Sequence, residues 1–286
     1  MRCMCCNKEL QSNEYLWHKK CIKSFFGTNV LPKINISFDD DYLIKENNSF
    51  ISGVQKKLSI HIDINAKGKI TYFDSNSNYI IKPQTEYKDI TILEHLSMLM
   101  AEKYGLKTAK HGLIKMNNEY CYITKRFDRD EDNKIHVEDF CQLANKLSID
   151  KYNGSYELVY RILKKYSNSY RLDKITMYKQ ILFSFIIGND DLHLKNFSLI
   201  EKDNTNLSLI YDLLPSKLYV NNNDDDLALS LNGKKINITK KDLISFGLYA
   251  EIELKLIERF INELLNLENE FINIINESVA STEMKD

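Results

Sequence analysis

The densest run of chemistry-bearing side chains in the sequence is Gly188-Asn189-Asp190-Asp191-Leu192-His193-Leu194-Lys195-Asn196. It follows the apolar stretch Ile181 to Ile187, whose burial would anchor a polar cluster at its tip. Phosphoryl transfer to a hydroxyl needs few parts: a carboxylate to take the hydroxyl proton, an Asn and a second carboxylate for Mg2+, and a lysine, itself held by a carboxylate, for the phosphates of ATP. Asp191-x-x-x-x-Asn196 has the spacing of a protein-kinase catalytic loop, because a tight loop must return both side chains to one phosphate. A polar helix cap with Gly188 as terminator would explain Gly188 and Asn189. It leaves Asp190, Asp191, His193, Lys195 and Asn196 together unexplained.

The other parts can be sought on either side. Asp212 follows the apolar segment Leu207 to Tyr211, the arrangement of a metal-binding Asp after a short strand. Alone, it reads better as an ordinary turn residue before Leu213-Leu214-Pro215. Lys82 ends the apolar run Tyr79-Ile80-Ile81, where a charge needs a reason, and Glu94 lies on the next helical segment, on the side near its apolar stripe, where it could pair with Lys82. The competing account of Lys82 is an edge lysine whose head reaches water. Lys82, Glu94, Asp191, Asn196 and Asp212 in this order favour a phosphoryl-transfer centre over five separate accidents. A glycine-rich loop is missing; only Gly53, in Ser49-Phe50-Ile51-Ser52-Gly53-Val54-Gln55, stands where one would be.

These residues need a scaffold, and periodicity supplies one. Residues 55–64 alternate, with Leu58, Ile60, Ile62 and Ile64 on one face, as a half-buried strand does. A turn at Ala66 to Gly68 leads to a returning strand over 70–73, and 79–82 is a third strand, closed by Pro83. Residues 91–104 switch to helical spacing with Leu93, Leu96, Met100 and Tyr104 on one stripe and Gly105 as the stop. Strands are expected over 111–116 and 119–126 around Asn117-Asn118. Helices are expected over 136–148, 155–167, 173–187 and 251–277, with short strands over 196–200 and 207–211. The tract Asn221 to Asp226 reads as a solvated loop. The expected fold class is α+β: a bilobal, protein-kinase-like fold with an antiparallel sheet and one helix in the N-lobe and a mostly helical C-lobe. The expected boundaries are a Cys-rich segment at 1–26, an N-lobe at 27–126 and a C-lobe at 127–286.

The 286 residues suffice for such a domain, and 43% hydrophobic content can fill its core. A net charge of -1 gives no global reason to expect nucleic-acid or membrane binding. The N-terminus is too polar for a signal peptide, and a cytoplasmic protein with reduced thiols is expected. Four of the six Cys fall within the first 21 residues. Cys3-x-x-Cys6 and His18-x-x-Cys21 offer a tetrahedral, structural Zn2+ set, with Cys5 as an alternative ligand. The alternative is a set of small buried thiols on a packing segment.

Taken in order, Ile51-Ser52-Gly53-Val54-Gln55-Lys56-Lys57-Leu58, Tyr79-Ile80-Ile81-Lys82, Thr124-Lys125-Arg126-Phe127-Asp128-Arg129, Gly188 to Ser198 and Tyr211-Asp212-Leu213-Leu214-Pro215 resemble the motifs of HipA-type toxin Ser/Thr kinases. The resemblance spans roughly residues 1 to 270. It implies Asp191 as catalytic base, His193 near the γ-phosphate, Asn196 and Asp212 on Mg2+, and Lys82 on the ATP phosphates with Glu94 behind it. Lys125 to Phe127 would face adenine, Asp128 the ribose, and Ser52 to Gln55 the phosphates. It also implies autophosphorylation of the phosphate loop, which would expel that loop from beside ATP. Phe50 stands where some members carry the acceptor serine, so Ser52 is the expected acceptor and Ser49 the runner-up. The short chain resembles the HipT form, whose missing N-terminal subdomain is a separate HipS-like protein, with a HipB-like DNA-binding antitoxin completing the set. Short chains of this type often begin with such a Cys/His segment. The implied substrate is a translation component such as an aminoacyl-tRNA synthetase. A small-molecule kinase and a non-catalytic pseudokinase module are the alternatives.

Overall fold

The computed structural model describes residues 1–32, 34, 57–63, 69–72, 77–130, 133–219 and 224–286. The chain divides into two compact units: residues 1–96, 109–132 and 274–286 form the first, and 97–108 and 133–273 the second.

The first unit begins with helix α1 (Lys19–Phe26), which buries Cys21, Ile22, Phe25 and Phe26 and ends at Gly27, whose φ of 75° closes the last turn. Strands β1 (Leu58–Asp63), β2 (Lys69–Tyr72), β3 (Tyr79–Lys82), β4 (His111–Met116) and β5 (Glu119–Lys125) form one antiparallel sheet in the order β2-β1-β3-β5-β4. Leu58, Ile60 and Ile62 are buried, as alternation requires, while Ile64 lies outside the described residues. Asn117 and Asn118 both take positive φ (49° and 68°), the geometry a two-residue hairpin turn needs to follow the strands' twist.

Helix α2 (Ile90–Lys103) runs where the spacing places one. It is not a one-sided amphipathic helix, however. Every residue from Ile90 to Ala101 is buried, polar Thr91, Glu94, His95 and Ser97 included. Three of those four polar groups have partners: the Thr91 hydroxyl donates to Tyr120 O (2.8 Å), Glu94 meets Lys82, and His95 Nδ1 lies 2.8 Å from His111 Nδ1. The helix ends before Gly105, which takes φ 82°.

The second unit departs from expectation at its start. Residues 136–148 are not one helix. Strand β6 (His136–Asp139) is followed by the single-turn helix α3 (Phe140–Leu143), capped reciprocally by Asp139 and Gln142. The cap signal sits inside the apolar stripe, and His136 to Asp139 are drawn into a sheet by a partner distant in sequence. That partner is β7 (Ser198–Glu201), which also pairs with β8 (Thr205–Leu207), so the late hairpin is shorter than 196–200 and 207–211 and belongs to a three-stranded sheet. Helices α4 (Tyr156–Tyr166) and α5 (Tyr170–Ile186) lie close to the expected ranges. The sequence reading leaves out α6 (Lys240–Tyr249), although Thr239 and Asp242 form its capping box. The expected helix over 251–277 is two helices, α7 (Leu254–Leu265) and α8 (Glu268–Asn276), broken at Asn266. Met177, Tyr178, Ile181, Leu182 and Phe183 of α5 are almost fully buried and form the floor from which the loop over 188–196 emerges.

Candidate active site

In the second unit, α5 stops where Gly188 takes φ 70°, and the Gly188 carbonyl accepts the Lys217 amide at 3.1 Å. Asn189 is buried; its side-chain Oδ1 accepts the Asp191 amide (3.1 Å), so the loop is turned by its own side chain. Asp190 is also buried, its amide donating to Ser216 Oγ (3.0 Å) and its carboxylate accepting the Ser216 hydroxyl. Leu192 and Leu194 are fully buried and pin the loop to the core, and the Tyr156 hydroxyl donates to the Leu192 carbonyl (3.1 Å). Asp190 therefore serves the loop's shape, leaving Asp191 as the carboxylate presented outward.

Asn196 closes a short 3-10 turn over Leu194–Asn196. Its Oδ1 accepts the His193 amide (2.9 Å) and its Nδ2 donates to Asp212 Oδ2 (3.2 Å). Asp212 takes φ 60°, a left-handed conformation that Asp tolerates better than bulkier residues. Lys195 points elsewhere: its Nζ bonds Asp139 Oδ2 at 2.9 Å, and its carbonyl accepts the Tyr211 hydroxyl at 2.9 Å. The loop thus gathers Asp191, His193, Asn196 and Asp212. Asp212 and Asn196 offer hard oxygen donors of the kind Mg2+ takes alongside phosphate oxygens, so this donor set suits that ion.

The electrostatics of the cluster are tuned. Asp191 has a side chain 48% exposed, yet the protein around it withdraws enough solvent to raise its carboxyl above the ordinary value. The Tyr152 hydroxyl, bonded to Asp191 Oδ1, and the Lys151 ammonium oppose that rise. Burial, followed by the Lys151 charge, pushes His193 down to about 4, so it is neutral at pH 7. The His193 ring meets Tyr152 edge-on at 5.1 Å, and its buried Nδ1 has no hydrogen-bond partner within the protein among the described residues. Lys151 and Tyr152 are additions to the site. They sit just beyond a 3-10 turn (Ser148–Asp150), and no local motif marks them; the Lys151 carbonyl, which accepts the Leu194 amide (3.1 Å), and the Tyr152 hydroxyl on Asp191 tie that turn to the loop.

The first unit carries the other expected residues. Lys82 Nζ bonds Glu94 Oε1 at 2.7 Å, with side chains 13% and 2% exposed, and lies 5.6 Å from the centroid of the Tyr122 ring, its register partner on β5. Lys125 ends β5, and burial, then Lys110, lowers its ammonium pKa. Phe127 is half-buried. The Asp128 carboxylate is held by Arg126 through two bonds (2.9 and 2.6 Å) and by Arg129 (2.7 Å). Despite its burial, those arginines keep Asp128 below its ordinary pKa, and a carboxylate so bonded keeps one acceptor site over. Ser49, Ser52, Gly53, Val54 and Gln55 lie outside the described residues. In the N-terminal segment, the ligand atoms of Cys3, Cys6, His18 and Cys21 lie within 4.8 Å of one another; Cys5 is not in that group.

Comparison with known proteins bears on the fold and the family. A Haemophilus influenzae protein named "Putative kinase" is 30% identical over 197 residues, covering 61% of this chain and 55% of that protein. "Putative kinase Y4dM" of Sinorhizobium fredii is 28% identical over 226 residues, covering 72% and 55% respectively. The chain thus spans about half the length of the curated relatives it matches. Among solved structures, a chain of the Shewanella oneidensis toxin–antitoxin complex of HipA, HipB and operator DNA superposes with a TM-score of 0.71 at 19% identity, over 82% of this chain and 60% of that one. The Helicobacter pylori proinflammatory kinase CtkA gives 0.53 at 17% identity, over 79% and 87%. The fold is kinase-like and α+β. Residues 49–283 match the family described as HipA-like C-terminal domain, and the chain belongs to that family.

Proposed function

We propose that this chain is an ATP- and Mg2+-dependent protein kinase that phosphorylates serine or threonine. The observation that carries the reading is the loop geometry: Asp191 outward, with Asn196 and Asp212 joined beside it at 3.2 Å. In this reading Asp191 takes the proton of the acceptor hydroxyl, and its raised pKa makes it a better base than an ordinary Asp. Neutral His193 offers its unpaired Nδ1 beside the transferred phosphoryl group without adding charge. Asn196 and Asp212 would hold Mg2+, which when bound offsets the charge of the phosphates. Lys82, fixed by Glu94, holds the α/β-phosphates. Lys125 to Phe127 face adenine and Asp128 accepts a ribose hydroxyl. The phosphate loop at Ser52 to Gln55, and autophosphorylation at Ser52 or else Ser49, come from the family resemblance, as does the division into lobes at 27–126 and 127–286.

The same family supports a toxin role, with an antitoxin like the HipB of the Shewanella complex, a HipS-like companion for a short form, and a translation component such as an aminoacyl-tRNA synthetase as target. The absence of a membrane-crossing helix among the described residues is compatible with a cytoplasmic setting. The test is incubation of purified protein with labelled ATP and Mg2+, alone and with cell lysate, for the native chain and Asp191→Ala. Labelling should fall at least about a hundredfold in the variant. Equal labelling by both, or none by either, overturns the kinase reading. Phosphoproteomics of cells expressing the two forms then identifies the acceptor.

A further inference from the structure

The N-terminal segment carries a second constellation that phosphoryl transfer does not use. Cys3 and Cys6 sit on a tight turn. The Cys3 amide donates to the Lys8 carbonyl (2.8 Å), the Asn7 amide to the Cys3 carbonyl (2.9 Å), and Asn7 takes φ 53° to reverse the chain. His18 and Cys21 come from the start of α1, with His18 at the N-cap position and Cys21 in the first turn. There the helix dipole favours a thiolate.

The distances fit a metal. A tetrahedral Zn2+ site with Zn–S of about 2.3 Å and Zn–N of about 2.0–2.1 Å has S–N edges near 3.5 Å and S–S edges near 3.8 Å. His18 Nδ1 lies 3.4 Å from Cys6 Sγ and 3.8 Å from Cys21 Sγ, and all four ligand atoms fall within 4.8 Å of one another. The histidine is oriented for the task. Its Nε2 is 2.9 Å from the Glu9 carbonyl, an acceptor that requires the ring proton on Nε2 and leaves the Nδ1 lone pair facing the thiols. The His18 amide also donates to Cys3 Sγ (3.3 Å), a bond that stabilises a ligand thiolate.

We propose that Cys3, Cys6, His18 and Cys21 bind one Zn2+ in a closed, three-sulfur, one-nitrogen structural site that clamps the N-terminal segment onto strand β4. Three thiolates and an imidazole select a borderline-soft tetrahedral ion over Mg2+ or Ca2+, and four protein ligands leave no position for substrate. The clamp has a visible purpose. The segment adds itself to β4 through the Leu113 amide on the Met4 carbonyl (2.8 Å) and the Trp17 indole N–H on the Leu113 carbonyl (2.9 Å). Trp17, beside ligand His18, packs with Phe25 and Phe26 at 5.1 and 5.4 Å, and both phenylalanines reach Tyr79 of β3. A segment of this length buries too little on its own to hold its shape, and a metal supplies the missing cross-link.

The experiment is metal analysis and spectroscopy on the full chain purified without chelator. Expected are one zinc per chain, and on cobalt substitution a visible spectrum of a tetrahedral site with sulfur-to-metal charge transfer. Trp17 is the sole tryptophan, so its emission reports this segment alone. Stripping the metal should shift that emission to the red and lower Tm, and zinc should restore both. Cys6→Ser and Cys21→Ser should lose the metal, Cys5→Ser should keep it, and His18→Cys should keep it with a cobalt spectrum changed to four sulfurs. Wild-type protein that is metal-free and gives no tetrahedral cobalt spectrum overturns the proposal, even where a serine variant fails to fold. So do metal loss in Cys5→Ser with retention in Cys6→Ser, and a Trp17 emission indifferent to stripping.

Discussion

Lys82 and Glu94 allow the nucleotide-holding role to be separated from a merely structural one. Their 2.7 Å contact is shielded, at 13% and 2% side-chain exposure, so Lys82→Met deprives a buried carboxylate of its cation. Breaking one side of such a pair costs about 3–5 kcal/mol, and the residual exposure of Lys82 argues for the lower end, about 3 kcal/mol. For a chain of 286 residues that is a fall in Tm of about 5 °C. Lys82→Met/Glu94→Leu removes both charges, and replacing a buried pair by apolar groups is often neutral, so its Tm should return to near the native value. Nucleotide binding should not return with it. The lost charge-assisted bond to phosphate is worth about 1.5–3 kcal/mol, or about 10- to 150-fold in Kd for a non-hydrolysable ATP analogue measured by calorimetry. A double variant that is native-like in both Tm and Kd refutes the assignment of Lys82 to the phosphates. One as unstable as Lys82→Met refutes the desolvation argument.

Three further outcomes follow from contacts elsewhere. Tyr152→Phe deletes the hydroxyl that opposes the raised pKa of Asp191, so the base stays protonated to higher pH and the acidic limb of the kcat profile should move up, with little change in Tm; an unmoved limb removes Tyr152 from the site. A Cβ on Gly112 would meet Trp17 Cζ2 at 2.5 Å, so Gly112→Ala should destabilise by about 1–3 kcal/mol in urea unfolding and perturb Trp17 emission; a neutral effect would show the segment free to lift from β4. Burial, reinforced by the neighbouring His111, holds the His95 pKa well below the ordinary 6.5. The unfolded chain therefore takes up that proton first, and stability present above pH 6.5 should decline as pH falls, by up to about 1.4 kcal/mol per unit, a slope that His95→Gln should reduce.

The parts of this protein that were legible in the sequence are those set by local rules. Alternation found β1, the Asn117-Asn118 pair found the β4–β5 hairpin, and the Asp-to-Asn spacing singled out a loop in which the structure brings Asn196 to Asp212, because backbone geometry and loop closure act over a few residues. The segment 136–148 was misread because its apolar stripe suits a helix, while its first four residues answer to β7, some sixty residues on. Helix α6 was overlooked even though Thr239 and Asp242 spell its cap. The burial of α2 on all sides was hidden for a different reason. Periodicity reports one apolar face, and polar residues on the others look like solvent contacts until Lys82, Tyr120 and His111 arrive as partners.

Lys151 and Tyr152 mark where local reading must fail at the site itself. Neither belongs to a motif, and a Lys-Tyr pair in a turn reads as surface. Yet Lys151 is only 4% exposed, and its charge acts in opposite senses on two neighbours: it favours the ionised form of Asp191 and the neutral form of His193. Burial is the largest influence on both groups, and this one buried cation works against it at Asp191 and with it at His193; on the proposed reading the result is a carboxylate base beside a neutral imidazole, a pattern that suits proton removal from a hydroxyl. The motif supplies the groups, while a charge that acts on both comes from a turn some forty residues earlier. Lys151→Met is therefore expected to impair catalysis by altering protonation states while every residue of the recognisable loop remains in place.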